Sequence, residues 1–121
     1  MKNANLQFAQ MVTGVLVGIF LIIHLSVQRL DVLLGYVGIK VSDPLTWKSM
    51  MDRAHQASWV GIYICLLTFG LFHGLNGLRN VLSELNIPSS AMRILTGLII
   101  AFGIIFLALG IYAPIVLYSY K

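Results

Sequence analysis

Apolar residues fill three long stretches of this chain, and polar residues gather at their ends and in the two gaps between them. The stretches cover residues 11–34, 59–81 and 94–118. Each is near the ~20 residues that a helix needs to cross a hydrocarbon layer about 30 Å thick. A helix is the form they must take there, because each has to satisfy its own backbone hydrogen bonds. The pattern therefore predicts an all-α membrane protein in a single domain, 1–121. Three transmembrane helices run up-down-up, with a short interfacial helix in the first gap. Tyr36, Trp47 and Trp59 flank that gap and Tyr118 and Tyr120 close the chain, where aromatic belts meet lipid headgroups. Pro114 falls in the last turns of the third stretch, where a kink is easiest to accommodate.

The gaps carry their own signals. Ser42-Asp43-Pro44 reads as a helix start, with Asp43 as N-cap and Pro44 in the first turn. Residues 45–54 mix apolar and charged positions, as a helix lying at the membrane surface would. The second gap, 83–90, is short and holds Pro88, so the second and third spans are expected to be antiparallel neighbours. Small residues recur at helical spacing: Gly14 and Gly18, Gly70 and Gly74, then Thr96, Gly103 and Gly110. Such stripes are the expected packing faces in lipid, where helices gain nothing hydrophobic by associating.

Composition narrows the reading. The 121 residues are 59% hydrophobic and 10% charged, against roughly a quarter charged in soluble domains. Lipid is therefore the expected solvent, and no room remains for a soluble catalytic domain. The chain has no Gly-rich phosphate loop, flavin-binding motif or nucleophile–base constellation. The net charge of +4 is spread singly, which argues against nucleic acid. Isolated basic residues at span ends suit lipid headgroups, a partner subunit or a cofactor's carboxylates. Cys65, alone in an apolar run, can form no internal disulfide or iron–sulfur ligand set and reads as a small core residue. The first apolar stretch is longer than a signal peptide's core and lacks a cleavage pattern, so it reads as a retained span. Orientation stays open. Lys2, Arg79 and Arg93 share one side, against Arg29, Lys40, Lys48, Arg53 and Lys121 on the other, a slight bias toward an outside N-terminus.

His24 and His73 lie within the first and second apolar stretches. A bilayer interior penalises polar side chains, so an intramembrane imidazole marks a functional site by default. His73 sits about 12 Å from the membrane face near Val81, and His24 about 20 Å from that same face. The two imidazoles are thus at different levels, as ligands of two separate centres would be. Three roles are open to each: a hydrogen bond to a neighbouring helix, axial ligation of haem iron, or proton or quinone chemistry. Gly70, Gly74 and Gly77 clear space beside His73 for a flat macrocycle. Arg79 lies about 9 Å further along, within reach of a haem propionate. Thr13, Val17, His24 and Asp31 share one face of the first span, a polar stripe that should face protein. His55, eighteen residues before His73, reads as a solvated interfacial residue, with a distal haem propionate as the second reading.

His73-x-x-x-Gly77-x-Arg79 near the end of the second of three spans resembles the membrane-anchor subunits of succinate:quinone oxidoreductase (complex II) and of quinol:fumarate reductase. The fuller string Phe72-His73-Gly74-Leu75-Asn76-Gly77-Leu78-Arg79, followed by Glu84, is similar to anchors of the prokaryotic two-anchor, two-haem class. Gln10-x-x-Thr13-Gly14-Val15-Leu16 leading to His24-Leu25 is similar to the family's first span. The resemblance covers all three spans. It implies two similar anchors sharing haem b, with His73 and His24 as axial ligands of two haems, and Arg79 and Gly77 beside them. It also implies an iron–sulfur subunit, a flavoprotein held through it, electron passage to quinone, and a cytoplasmic N-terminus in a prokaryotic cytoplasmic membrane. The chain departs from the family at Gln7 and Met11, where quinone-binding anchors carry Ser and Arg, and at Leu85, where the other anchor type has Tyr. Gln10 and Thr13 are then the local quinone candidates. Two rivals remain: a haem-binding subunit of another membrane quinone oxidoreductase, and a non-redox helical bundle.

Overall fold

The computed structural model describes residues 3–120. Among them every regular element is a helix: α1 (Ala4–Gln28), α2 (Leu30–Gly35), α3 (Trp47–Ala54), α4 (Ala57–Glu84) and α5 (Ser89–Ser119). Three of these, α1, α4 and α5, are long and apolar enough to cross a membrane. Lys2 and Lys121, two of the basic residues weighed for orientation, lie outside the described residues.

The spans outrun their apolar stretches at most ends, because polar helix formers carry the ladder beyond the apolar run. Helix α1 begins at Ala4 and takes in Asn5, Gln7 and Gln10. Its far end differs from the expected continuous span. The chain breaks at Arg29 (φ −118°, ψ 23°), whose N–H reaches both the Leu25 and Ser26 carbonyls, at 3.2 and 3.3 Å. Polar residues cluster there (Ser26, Gln28, Arg29, Asp31), where chain leaving the apolar layer can satisfy backbone groups by other means. Asp31 opens α2 and so drops out of the stripe predicted along the first span. Gly38 (φ +79°) ends this segment. Its N–H bonds the Gly35 carbonyl while Ile39 N–H bonds that of Leu34, a Schellman closure that needs a left-handed residue.

The start of α3 is also corrected. Thr46, not Asp43, is the N-cap, its hydroxyl accepting from Ser49 N–H at 3.2 Å. Asp43 instead accepts from Leu45 N–H at 2.8 Å, forming a turn that contains Pro44. Thr46 and Ser49 also bond side chain to side chain at 2.8 Å, a reciprocal arrangement that stabilises a first turn better than Asp43 could from outside it. Arg53 donates to the Pro44 carbonyl at 2.6 Å and ties the end of α3 back to this turn.

Helix α4 is the middle element. It packs on α1 along one side and on α5 along another, while the α1 and α5 backbones make no close approach among the described residues. The partners run antiparallel. Along α1 and α4, Gln10 meets Asn76, Gly14 meets His73, Phe20 meets Phe69 and His24 meets Tyr63. Along α4 and α5, Leu75 seats against Gly103 and Leu67 against Gly110, so part of the expected small-residue stripe is a packing face. Gly18, Gly70 and Gly74 face open space within this chain. Val60 and Pro44 are the two buried residues among those described, whereas Phe8, Ile22, Ile94 and Leu98 are each more than 60% exposed.

Candidate functional site

His73 projects from α4 onto α1. Its Nδ1 lies 3.1 Å from the Gln10 carbonyl and 3.5 Å from the Thr13 hydroxyl. A carbonyl only accepts, so Nδ1 carries the proton and Nε2 is left with its lone pair. No hydrogen bond reaches Nε2 among the described residues. Fixation of one ring N–H by a backbone carbonyl, with the other nitrogen free, is how proteins present imidazole to a metal. The Thr13 hydroxyl donates to Ala9 O at 2.7 Å, which leaves its oxygen lone pairs directed at the ring.

Two further groups hold this imidazole in place. Gly14 lies directly beneath it: a Cβ there would stand 2.8 Å from His73 Cε1, so only glycine admits the ring in this position. Gln10 clamps the helices together. Its amide donates to the His73 carbonyl at 2.9 Å and accepts from Asn76 Nδ2 at 2.7 Å. Gly77 leaves room for that clamp, since a Cβ there would come within 3.1 Å of Gln10 Nε2.

His24 is presented differently. The Gln28 amide nitrogen, one turn on in the same helix, lies 2.8 Å from Nε2. That amide donates, so the Nε2 lone pair is engaged. The ring stands edge-on to Tyr63, with centroids 5.5 Å apart and planes at 86°, and Trp59 flanks Tyr63 at 6.3 Å. Tyr63 and His73 are separated by about 15 Å along α4. Both imidazoles therefore lie on the α1–α4 seam at different depths. No cluster of three or more metal-ligating side chains occurs among the described residues.

Arg79 is half-buried and makes no hydrogen bond or ion pair among the described residues. It borders three clefts at the end of the bundle where α4 closes. His55 caps α3, half-buried, with Nδ1 buried and unpartnered, so the ring is not simply solvated as expected. Gln56 (φ −106°, ψ 119°) separates α3 from α4, which removes the continuous helix that would align His55 with His73.

The donor set suits haem iron unevenly. His73 offers an accessible nitrogen of fixed tautomer, beside Gly70 and Gly74, which bear no side chain and face open space. His24 can ligate only once Gln28 turns away from it. The sequence reading missed Asn76, Gln28 and Tyr63 as site residues and took Gly14 only for helix packing. Gln28 was visible as a polar residue one turn from His24; Tyr63 required knowing the register between helices.

The chain is 28% identical over 95 residues, 77% of its length and 70% of the other protein's, to the succinate dehydrogenase hydrophobic membrane anchor subunit of Thermoplasma acidophilum. No protein-family model and no solved structure matches it.

Proposed function

We propose that this multi-pass membrane protein is an anchor subunit of a succinate dehydrogenase complex that holds haem b between itself and a homologous second anchor. The spans then run up-down-up from a cytoplasmic N-terminus in a prokaryotic cytoplasmic membrane, with α3 at the opposite interface. An iron–sulfur subunit docks at the end carrying Arg79, and a flavoprotein subunit is held through it. The observation that carries the reading is His73, an intramembrane imidazole fixed by a backbone carbonyl at Nδ1 and open at Nε2.

His73 holds iron through Nε2, and the Gln10 carbonyl keeps the proton on the opposite nitrogen. Gly14 and Gln10 set the ring's height and angle. Gly77 keeps the Gln10 clamp closed. His24 would hold a second iron once Gln28 turns away, with Tyr63 supporting its ring edge-on. The haem these residues would hold would supply one-electron transfer. Gln10 and Thr13 spend their polar groups on His73 and Asn76, so in this reading they position the ligand. Quinone then takes its polar contacts from the partner chains.

One observation favours the non-redox alternative: His73 already has an interhelical hydrogen bond. That bond uses a single ring nitrogen, and a purely structural imidazole in lipid would be expected to satisfy both. The optical spectrum of the purified complex decides between them. A reducible b-type signal should fall by about half in His73→Ala and by about half in His24→Ala. Full haem content in both variants would leave only the anchoring role.

A further inference from the structure

Where α4 ends and α5 begins, Arg79, Ser83, Ser89, Arg93 and Thr96 border a cleft of about 450 Å³. Two guanidinium groups line it and no carboxylate does. Neither has a hydrogen bond or ion pair among the described residues. Arg79 is half-buried and Arg93 exposed, so one charge stands inside the mouth and one at its rim. Uncompensated cations at the end of a membrane span call for an anion, and guanidinium forks match phosphate oxygens two at a time.

Arg79 and Thr96 also border a second cleft, of about 570 Å³, between α4 and α5. Its other walls are almost wholly apolar, including Phe72, Leu75, Ile100 and Ile104, and it reaches Leu107. From Thr96 to Leu107 the groove runs about 16 Å along α5. A cationic mouth that shares Arg79 and Thr96 with an apolar trough of that length fits a ligand with an anionic head and a long chain. A free phosphate would fill only the mouth.

We infer that the α4–α5 groove is a binding site for one anionic phospholipid, its phosphate held between Arg79 and Arg93 and an acyl chain lying along Ile100, Ile104 and Leu107. Charge complementarity at the mouth sets the headgroup, and the trough sets the lipid as its source.

Native mass spectrometry of the intact detergent-purified protein, incubated with phosphatidylglycerol, phosphatidylcholine or inorganic phosphate, tests this. One phosphatidylglycerol should be retained in preference to phosphatidylcholine. Removing one cation should weaken that retention roughly fivefold in Arg93→Gln, and Arg93→Lys should recover part of it. Ile104→Trp, at an exposed position in the trough, should lower retention while leaving the mouth intact. Equal retention of the two lipids, or an unchanged Arg93→Gln, would overturn the inference. Displacement of the lipid by inorganic phosphate alone, or by a short-chain quinone, would also overturn it by assigning the cleft to another occupant.

Discussion

Gly14 illustrates how much of the site depends on single side chains, here on the lack of one. An added methyl group would meet His73 Cε1 at 2.8 Å, and the ring cannot retreat without leaving the Gln10 carbonyl 3.1 Å away. Overpacking of this kind costs about 1–3 kcal/mol, and here it also moves a ligand. Gly14→Ala should shift or abolish the axial-ligand signal of one haem in low-temperature electron paramagnetic resonance, leaving the other centre unchanged. Gln28 acts in the opposite sense. Its amide engages His24 Nε2 at 2.8 Å, so Gln28→Leu frees that nitrogen at the loss of one hydrogen bond, worth about 1 kcal/mol. Haem titration of the apoprotein should then fill the second centre faster than in the parent, whereas an unchanged rate would mean that Gln28 does not compete with iron.

At the scale of elements, the two helix seams are separable. The α1–α4 seam carries both imidazoles, while the α4–α5 seam is built on leucines seated over Gly103 and Gly110. Gly103→Val should therefore lower the thermal midpoint in detergent, by overpacking worth about 1–3 kcal/mol, while the positions of the haem absorption bands stay put. A shift in both readouts would show that α4 transmits strain from one seam to the other. The existence of the three spans was legible because an apolar run of spanning length admits few alternatives. Their ends were less so: the break at Arg29 and the cap at Thr46 are decided by local hydrogen bonds among polar residues, which apolar periodicity does not encode. His73 was legible as a candidate because it is polar where polarity is costly. Its tautomer was not, since that follows from which α1 carbonyl lies opposite, and register between helices leaves no mark in either sequence alone.

The whole molecule has almost no interior of its own. Val60 and Pro44 are the two residues buried among those described, the α1 and α5 backbones make no close approach, and Gly70 and Gly74 face open space beside His73. Lipid hydrocarbon can cover exposed Leu and Ile at no penalty, but it cannot satisfy the open Nε2 of His73. An uncovered seam that combines glycines with unsatisfied polar groups is the kind of surface on which membrane helices associate. Stability should accordingly depend on partners and cofactor by mass action, as for any ligand that binds the folded form alone. Expressed without a second anchor, the chain should show a low and broad thermal transition in detergent. Co-expression with that anchor and haem should raise the midpoint, and His73→Ala should cancel most of the part due to haem. A single chain as stable alone as in the complex would mean that the glycine face is covered by lipid only, and that the two imidazoles serve the helix seam and nothing else.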